Sequence, residues 1–196
     1  MKPSNKQGTQ HMNAIATPNV KFNFRAPDQA PRSEIRYAIG ESEYGMLLAA
    51  RDDDGICAIF IADNAEQLRE EVIATFPHSH VTEESTGLQS EMAQINAVMK
   101  GTSSELLEVY VGGTSFQQKV WQAISTIPYG ATRTYGQIAE QLDMPHSARA
   151  VAGACAANVL AFAIPCHRVV GSDGAMSGFR WGIERKKEIL KQEARP

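Results

Sequence analysis

Cysteine is scarce in this chain. Only Cys57, Cys155 and Cys166 occur in 196 residues, and no two of them form a Cys-x-x-Cys pair. An odd, widely spaced set argues against a disulfide framework and a cysteine-rich zinc site, and it predicts a reducing, cytoplasmic setting. The first 100 residues hold no Cys/His set suited to zinc, so neither a metal nor another cofactor is expected. Long apolar runs are missing too. None approaches the roughly 18–20 residues of a membrane span, and no apolar segment behind a basic start predicts a secretory leader. Net charge is also low, at −3. That figure hides an asymmetry: residues 1–113 carry 9 Lys+Arg against 16 Asp+Glu, and residues 114–196 carry 10 against 6. A basic C-terminal half points to an anionic partner. What is present suffices for a core, since 43% of the residues are hydrophobic, enough for one large domain or two small ones.

Residues 1–34, rich in Asn, Gln, Pro, Lys and Thr, read as a flexible tail. Residues 35–112 read as an N-terminal α/β (α+β) unit with a small antiparallel sheet. Its strands are expected at Ile35–Glu41, Gly45–Arg51 and Gly55–Ala62, joined by short polar loops. A helix should open at Asp63, with Glu66 completing a capping-box-like spacing and Leu68, Val72 and Phe76 on one face. A second helix is expected at about 87–100, with Leu88, Met92, Ile95 and Met99 facing the core, followed by a strand over Leu106–Val111.

Residues 113–196 turn mainly helical. Thr114 and Gln117 form a capping box ahead of an apolar stripe of Phe116, Val120, Ile124 and Ile127. Thr134 and Gln137 repeat the device and open a short helix over Tyr135–Leu142. After a turn at 143–146, a helix over Ser147–Ala157 is built almost wholly of small residues. The pair reads either as a winged helix-turn-helix-like unit or as an ordinary helical hairpin. Its second helix offers only Arg149 for base contacts, among Ala148, Ala150, Ala152 and Gly153.

The chemistry is expected at Pro165-Cys166-His167-Arg168-Val169. An apolar run, Val159–Ile164, leads into it and reads as a buried strand. A thiolate is the nucleophilic form of cysteine, and a neighbouring base raises its population. Adjacent side chains on an extended strand point to opposite faces. His167 therefore serves Cys166 only across a turn or through a bridging water. Glu193 in the last helix is a candidate to orient it. Cys57 and Cys155 read as structural.

Pro165-Cys166-His167-Arg168-Val169 resembles the active-site signature of the O6-alkylguanine-DNA alkyltransferases. The similarity extends through Phe116–Trp121, Ile127-Pro128-Tyr129-Gly130, Thr134–Ala139, Ala148-Arg149-Ala150-Val151, Asn158 and 177–182, covering essentially 114–193. Residues 35–112 more loosely resemble the N-terminal part of the family, above all in its bacterial adaptive-response members. The resemblance implies a stoichiometric methylated-DNA–protein-cysteine S-methyltransferase. It would bind double-stranded DNA containing O6-alkylguanine along the minor groove, flip the base, and accept the alkyl group once. Cys166 would be the acceptor. His167 would act through a water, Glu193 would polarise His167, Asn158 would be the hinge asparagine, and Tyr135 would contact the guanine. Arg149 would fill the base stack, with Ala148, Ala150, Ala152 and Gly153 at the groove. Val169, Phe179, Arg180 and Trp181 would join Tyr135 around the pocket.

Two departures stand out. Val159 follows the asparagine where many members have proline, which predicts a looser turn. Arg180-Trp181 stands where many have small residues, which predicts that Trp181 narrows the pocket against bulky adducts. Three competing readings are weaker. A DNA-binding regulator lacks a base-reading helix here, a Cys-His hydrolase lacks an oxyanion pattern, and a lesion binder without transfer would lack Cys166. Nothing signals oligomerisation, so a monomer is expected.

Overall fold

The computed structural model describes residues 19–27, 29, 33–84, 86–176 and 178–194. A six-stranded mixed sheet forms the N-terminal part, in the order β1-β6-β4-β3-β2-β5. Its strands are β1 Val20–Phe24, β2 Glu34–Ser42, β3 Gly45–Arg51, β4 Ile56–Ala62, β5 His80–Glu83 and β6 Leu107–Val111. The centre is the expected antiparallel meander β2-β3-β4. All seven residues of β4 are buried, as suits a strand covered on both faces. Helices α1 (Ala65–Thr75) and α2 (Gln89–Met99) pack against the sheet through Leu68 and Val72, and through Ile95, Val98 and Met99. The α1 cap is Asn64, whose side chain accepts from the Gln67 amide, one residue beyond the expected Asp63.

The sheet is larger than the sequence suggested because distant segments complete both edges in parallel. At one edge β5 pairs with β2. At the other, β1 pairs with β6, Val20 opposite Leu107 and Phe24 opposite Val111. The flexible tail expected over 1–34 is therefore corrected in part. Val20, Phe22 and Phe24 alternate with polar residues, but their pairing partner lies more than eighty residues away in sequence. Residues 1–18, 28 and 30–32 lie outside the described residues, as does Ser177.

The C-terminal part holds α3 (Ser115–Ser125), α4 (Tyr135–Gln141), α5 (Ala148–Ala156) and α6 (Ile183–Glu193), with a two-residue parallel ladder of β7 (Arg133–Thr134) and β8 (Val169–Val170). Both expected capping boxes form, Thr114 with Gln117 and Thr134 with Gln137. Such caps satisfy two otherwise orphaned amides each. Trp121 Nε1 donates to the Ala154 carbonyl at 2.9 Å and ties α3 to α5.

The two parts meet at β4. That strand pairs with β6 only at Ile56. Farther along, its free edge takes up the segment before the signature: Ile59 N donates to Val159 O at 2.8 Å, and Ala161 N donates to Ile59 O at 3.0 Å. The run Val159–Ile164 is thus no strand. It makes a single parallel bridge at Leu160 and then turns. Its apolar character reflects burial between the two parts, complete from Leu160 to Ile164, which cannot be told from a strand by pattern alone. The proline that Val159 replaces is not needed to hold this turn, since the sheet edge holds its carbonyl. Phe162 takes a left-handed φ of 63°, a strain of about 1–2 kcal/mol for a non-glycine residue. Stacking on Tyr44, with ring centroids 5.2 Å apart, offsets it.

Candidate active site

Cys166, His167 and Arg168 form one 3-10 turn after Pro165, all three buried. The turn answers the difficulty posed by adjacency on a strand: Cys166 faces a pocket, while His167 packs against Glu193 of α6. Cys166 looks into a pocket of about 430 Å³, lined also by Tyr135, Ala152, Cys155, Ala156, Gly178, Phe179 and Arg180. That size suits a small-molecule or nucleobase site. His167 looks back toward α6. Its Nε2 lies 2.9 Å from Glu193 Oε1. Its Nδ1 is buried and has no hydrogen-bond partner among the described residues. With a carboxylate on Nε2, the favoured neutral tautomer carries its proton there and leaves the Nδ1 lone pair available.

Glu193 is the hub of this network. Arg168 grips it with Nε at 2.9 Å from Oε2 and Nη2 at 2.8 Å from Oε1. Arg168 Nη1 also donates to Ile127 O at 2.8 Å, and Gly130 N donates to Glu193 Oε2 at 3.3 Å. Burial pushes the Glu193 carboxyl up, but the hydrogen bonds from His167 and Arg168 outweigh it and hold the group at about 2. Burial lowers the His167 pKa although Glu193 works in the opposite direction. The resting imidazole is therefore neutral and able to take a proton.

Asn158 is fully buried. Its Oδ1 accepts from Leu160 N at 2.8 Å, and its Nδ2 donates to Ile164 O at 3.0 Å and lies 3.3 Å from Cys166 Sγ. One amide thus shapes the whole 158–166 loop and touches the thiol. Burial, then a hydrogen bond with Cys155, raises the Cys166 pKa well above its ordinary value, while Asn158 and the Lys186 charge pull it down. Burial also raises the Tyr135 hydroxyl, to about 12, so it stays protonated at neutral pH. Gly178 faces that hydroxyl with a φ of 68°, and a Cβ there would stand 3.7 Å from it.

The structure brings together Cys166, His167, Glu193, Asn158 and Tyr135. It also places Phe179 and Arg180 at the pocket. Arg180 is anchored by Nε to Glu71 Oε1 at 2.8 Å and sits over the Phe60 ring at 5.6 Å. Trp181 does not line this pocket. It is buried edge-on to Phe179, with centroids 5.2 Å apart, and faces a separate surface hollow beside Tyr44 and Arg185. The expected narrowing by Trp181 is corrected accordingly: the chain reverses direction after Phe179, so Phe179 and Arg180 make the wall instead. Val169 is fully buried and does not line the pocket; its carbonyl accepts from Lys186 Nζ at 2.6 Å.

The outer face of α5 carries Arg149, Ala150 and Gly153, all exposed, with Ala148 and Ala152 half-buried beside them. Val151, Ala154 and Cys155 face inward. A Cβ on Gly153 would meet nothing within 4 Å, so this face is open to a partner.

Three residues have site roles that the sequence did not reveal: Arg168, known there only as part of the signature, clamps Glu193; Cys155, read as structural, lines the pocket; and Lys186 had no assigned part. Lys186 is fully buried on α6 and, among the described residues, donates to the carbonyls of Val169 and Gly178 alone. The signal for it was present, since Lys186, Ile189 and Glu193 fall on one stripe of α6 and all are buried.

Comparison with known proteins agrees with this geometry. The family model described as 6-O-methylguanine DNA methyltransferase, DNA binding domain, matches residues 115–195. The methylated-DNA–protein-cysteine methyltransferase of Mycolicibacterium paratuberculosis is 35% identical over 164 residues, covering 82% of this chain and 93% of the relative. The bifunctional transcriptional activator/DNA repair enzyme Ada of Escherichia coli is 43% identical over 161 residues, covering 82% of this chain and 46% of that protein. The chain therefore spans about half the length of that relative. The crystal structure of Mycobacterium tuberculosis O6-methylguanine methyltransferase superposes with a TM-score of 0.67 at 33% identity, covering 82% of this chain and 93% of the other. The same organism's protein in complex with DNA gives 0.66 at 34% identity, covering 81% and 92%. A buried Pro-Cys-His-Arg turn, its glutamate and asparagine partners, and this similarity along both parts of the fold lead to one conclusion: the chain belongs to the 6-O-methylguanine DNA methyltransferase family.

Proposed function

We propose that the protein repairs O6-alkylguanine in duplex DNA by moving the alkyl group irreversibly to Cys166. The observation that carries this reading is the division of labour within one 3-10 turn. Cys166 faces a base-sized pocket, while His167, backed by Glu193, stands behind it as a proton acceptor.

The outer face of α5 enters the minor groove, whose degenerate code suits repair in any sequence. Small side chains permit close approach, and Arg149 fills the stack left by the extruded base. Extrusion costs on the order of a few kcal/mol, less for a poorly paired lesion. In the pocket, the Cys166 proton passes through a water to His167 Nδ1, and Glu193 stabilises the imidazolium formed. Sulfur then attacks the alkyl carbon as the bond from that carbon to guanine O6 breaks. The electron pair returns to the guanine, where the protonated Tyr135 hydroxyl donates a hydrogen bond. The thioether product cannot be hydrolysed there, so each chain reacts once.

Lys186 assists by its charge. Lys186→Met should slow transfer about 10–100-fold, on the basis of tenfold per unit of thiol pKa. It should also move the rising limb of the rate–pH profile upward. Met fills similar volume and removes a buried ammonium that no carboxylate pairs among the described residues, so stability should hold. An unchanged pH profile contradicts this role. On α5, Gly153→Glu should weaken duplex binding about tenfold or more, with an unaltered circular dichroism spectrum. Wild-type affinity in that variant would remove α5 from the DNA face.

The test of the reaction is stoichiometric. With increasing protein against excess duplex bearing O6-methylguanine, repaired DNA should equal the amount of protein and then stop. Continued turnover, or no repair, overturns the proposal.

A further inference from the structure

Cys155 takes no part in the transfer described above, yet it stands at the reacting end of the pocket. It lies on the last turn of α5, and its side chain lines the same pocket as Cys166. Cys155 stands near enough to act on the Cys166 thiol and raise its pKa. Tyr135 and Lys186 each feel both sulfurs, so the pair shares one electrostatic environment. Ala152 and Ala156 line the pocket beside Cys155. Cys57 is elsewhere. Its thiol bonds Ala50 O at 3.6 Å and borders a different cavity, with Trp121 and Tyr110. Two of three cysteines therefore meet in one chamber open to small solutes.

We propose that Cys155 and Cys166 form a redox dithiol, which a hydroperoxide closes to a disulfide and a dithiol reductant reopens. In the first step the Cys166 sulfur attacks the terminal peroxide oxygen. The O–O bond breaks, sulfur is oxidised to the sulfenic acid, and water or an alcohol departs with the thiol proton. In the second step the Cys155 sulfur attacks Cys166 Sγ, the S–O bond breaks, and the hydroxyl leaves as water with the Cys155 proton. Lys186 stabilises the developing thiolate in each step. Without a resolving thiol, a sulfenic acid climbs to the sulfinic acid, which is not recovered by thiols. The disulfide does not rest on the alkyl-transfer reading. Its benefit does: a single-use acceptor would survive oxidation in a reversible form.

The experiment treats the full chain with hydrogen peroxide, denatures it, labels free thiols with iodoacetamide and reads intact mass and peptide maps. Wild type should fall from three labelled cysteines to one, with Cys57 retaining its label. The peptides bearing Cys155 and Cys166 should be linked, about 2 Da lighter than the reduced pair. Dithiothreitol should restore both the labels and the capacity to accept methyl from DNA. Cys155→Ala should yield no link, and its Cys166 should gain two oxygens and stay oxidised after reduction. Cys57→Ala should form the link as wild type does. Equal sulfinic acid in wild type and Cys155→Ala overturns the proposal, as does a bond to Cys57 or between chains. A reversible link in a protein that never accepts methyl upholds the dithiol and removes the transfer reading instead.

Discussion

Cys166→Ala should abolish methyl transfer completely and turn the protein into a lesion-binding one. The substitution removes the sulfur that Asn158 contacts and the Lys186 charge favours as thiolate at the pocket end. The fold should survive. Cys166 Sγ receives one hydrogen bond, from Asn158 Nδ2, and that amide keeps its bond to Ile164 O at 3.0 Å. The expected loss is about 1–2 kcal/mol for a small buried truncation. The proposed DNA face on α5 and the pocket wall at Tyr135 and Phe179 stay intact, so an extruded base would still have a place to sit. In a gel-shift titration, the variant should bind duplex containing O6-methylguanine at least as tightly as wild type and release it more slowly. Residual transfer in this variant would mean that another nucleophile, with Cys155 the nearest, carries the reaction.

Glu193→Gln should have the next largest effect, on rate and stability together. Among the described residues, Glu193 is the sole carboxylate facing both His167 and Arg168 at hydrogen-bond distance. Its loss leaves the Arg168 guanidinium buried and uncompensated, which costs about 3–5 kcal/mol. The imidazolium that forms during proton uptake loses its counter-charge, so transfer should slow by about 100-fold or more. The pH dependence separates this from general damage. In the folded protein the Glu193 carboxyl is held at about 2, against an ordinary value of 4.5. Its folded value is depressed, so its contribution is complete above pH 4.5 and is lost as pH falls toward 2. That interval corresponds to about 3 kcal/mol at 1.36 kcal/mol per unit. Denaturant unfolding of wild type should weaken across this window, and the Gln variant should lack that part of the slope. Parallel acid profiles in the two proteins would contradict the role given to the Glu193 hub.

Local signals in the sequence carried much of the fold. Thr114 with Gln117 and Thr134 with Gln137 announce helix starts because a capping box is a contact within four residues. The meander from Glu34 to Ala62 is visible because its loops are short. What escaped depends on long-range pairing. Val20–Phe24 becomes a strand only against Leu107–Val111. The run Val159–Ile164 bends because the free edge of β4 holds Val159 and Ala161. The site shows the same division. Cys166 and His167 are legible from their signature, and Glu193 from its spacing within the family. The Arg168 clamp, the Lys186 ammonium and the Cys155 contact arise only when α5, α6 and the 3-10 turn converge. Trp181 shows the converse error, since proximity in sequence to Phe179 and Arg180 does not place it on their side of the chain.

The most direct test of the account is the intact mass of the wild-type protein after incubation with a duplex carrying one O6-methylguanine, followed by peptide mapping. The account predicts a gain of about 14 Da, one methylene, in every reacted chain, as covalent transfer to a nucleophile requires. The gain should be confined to the peptide containing Cys166, with the guanine restored in the DNA. An unchanged mass, or a methyl group found on Cys155 or Cys57, would contradict it.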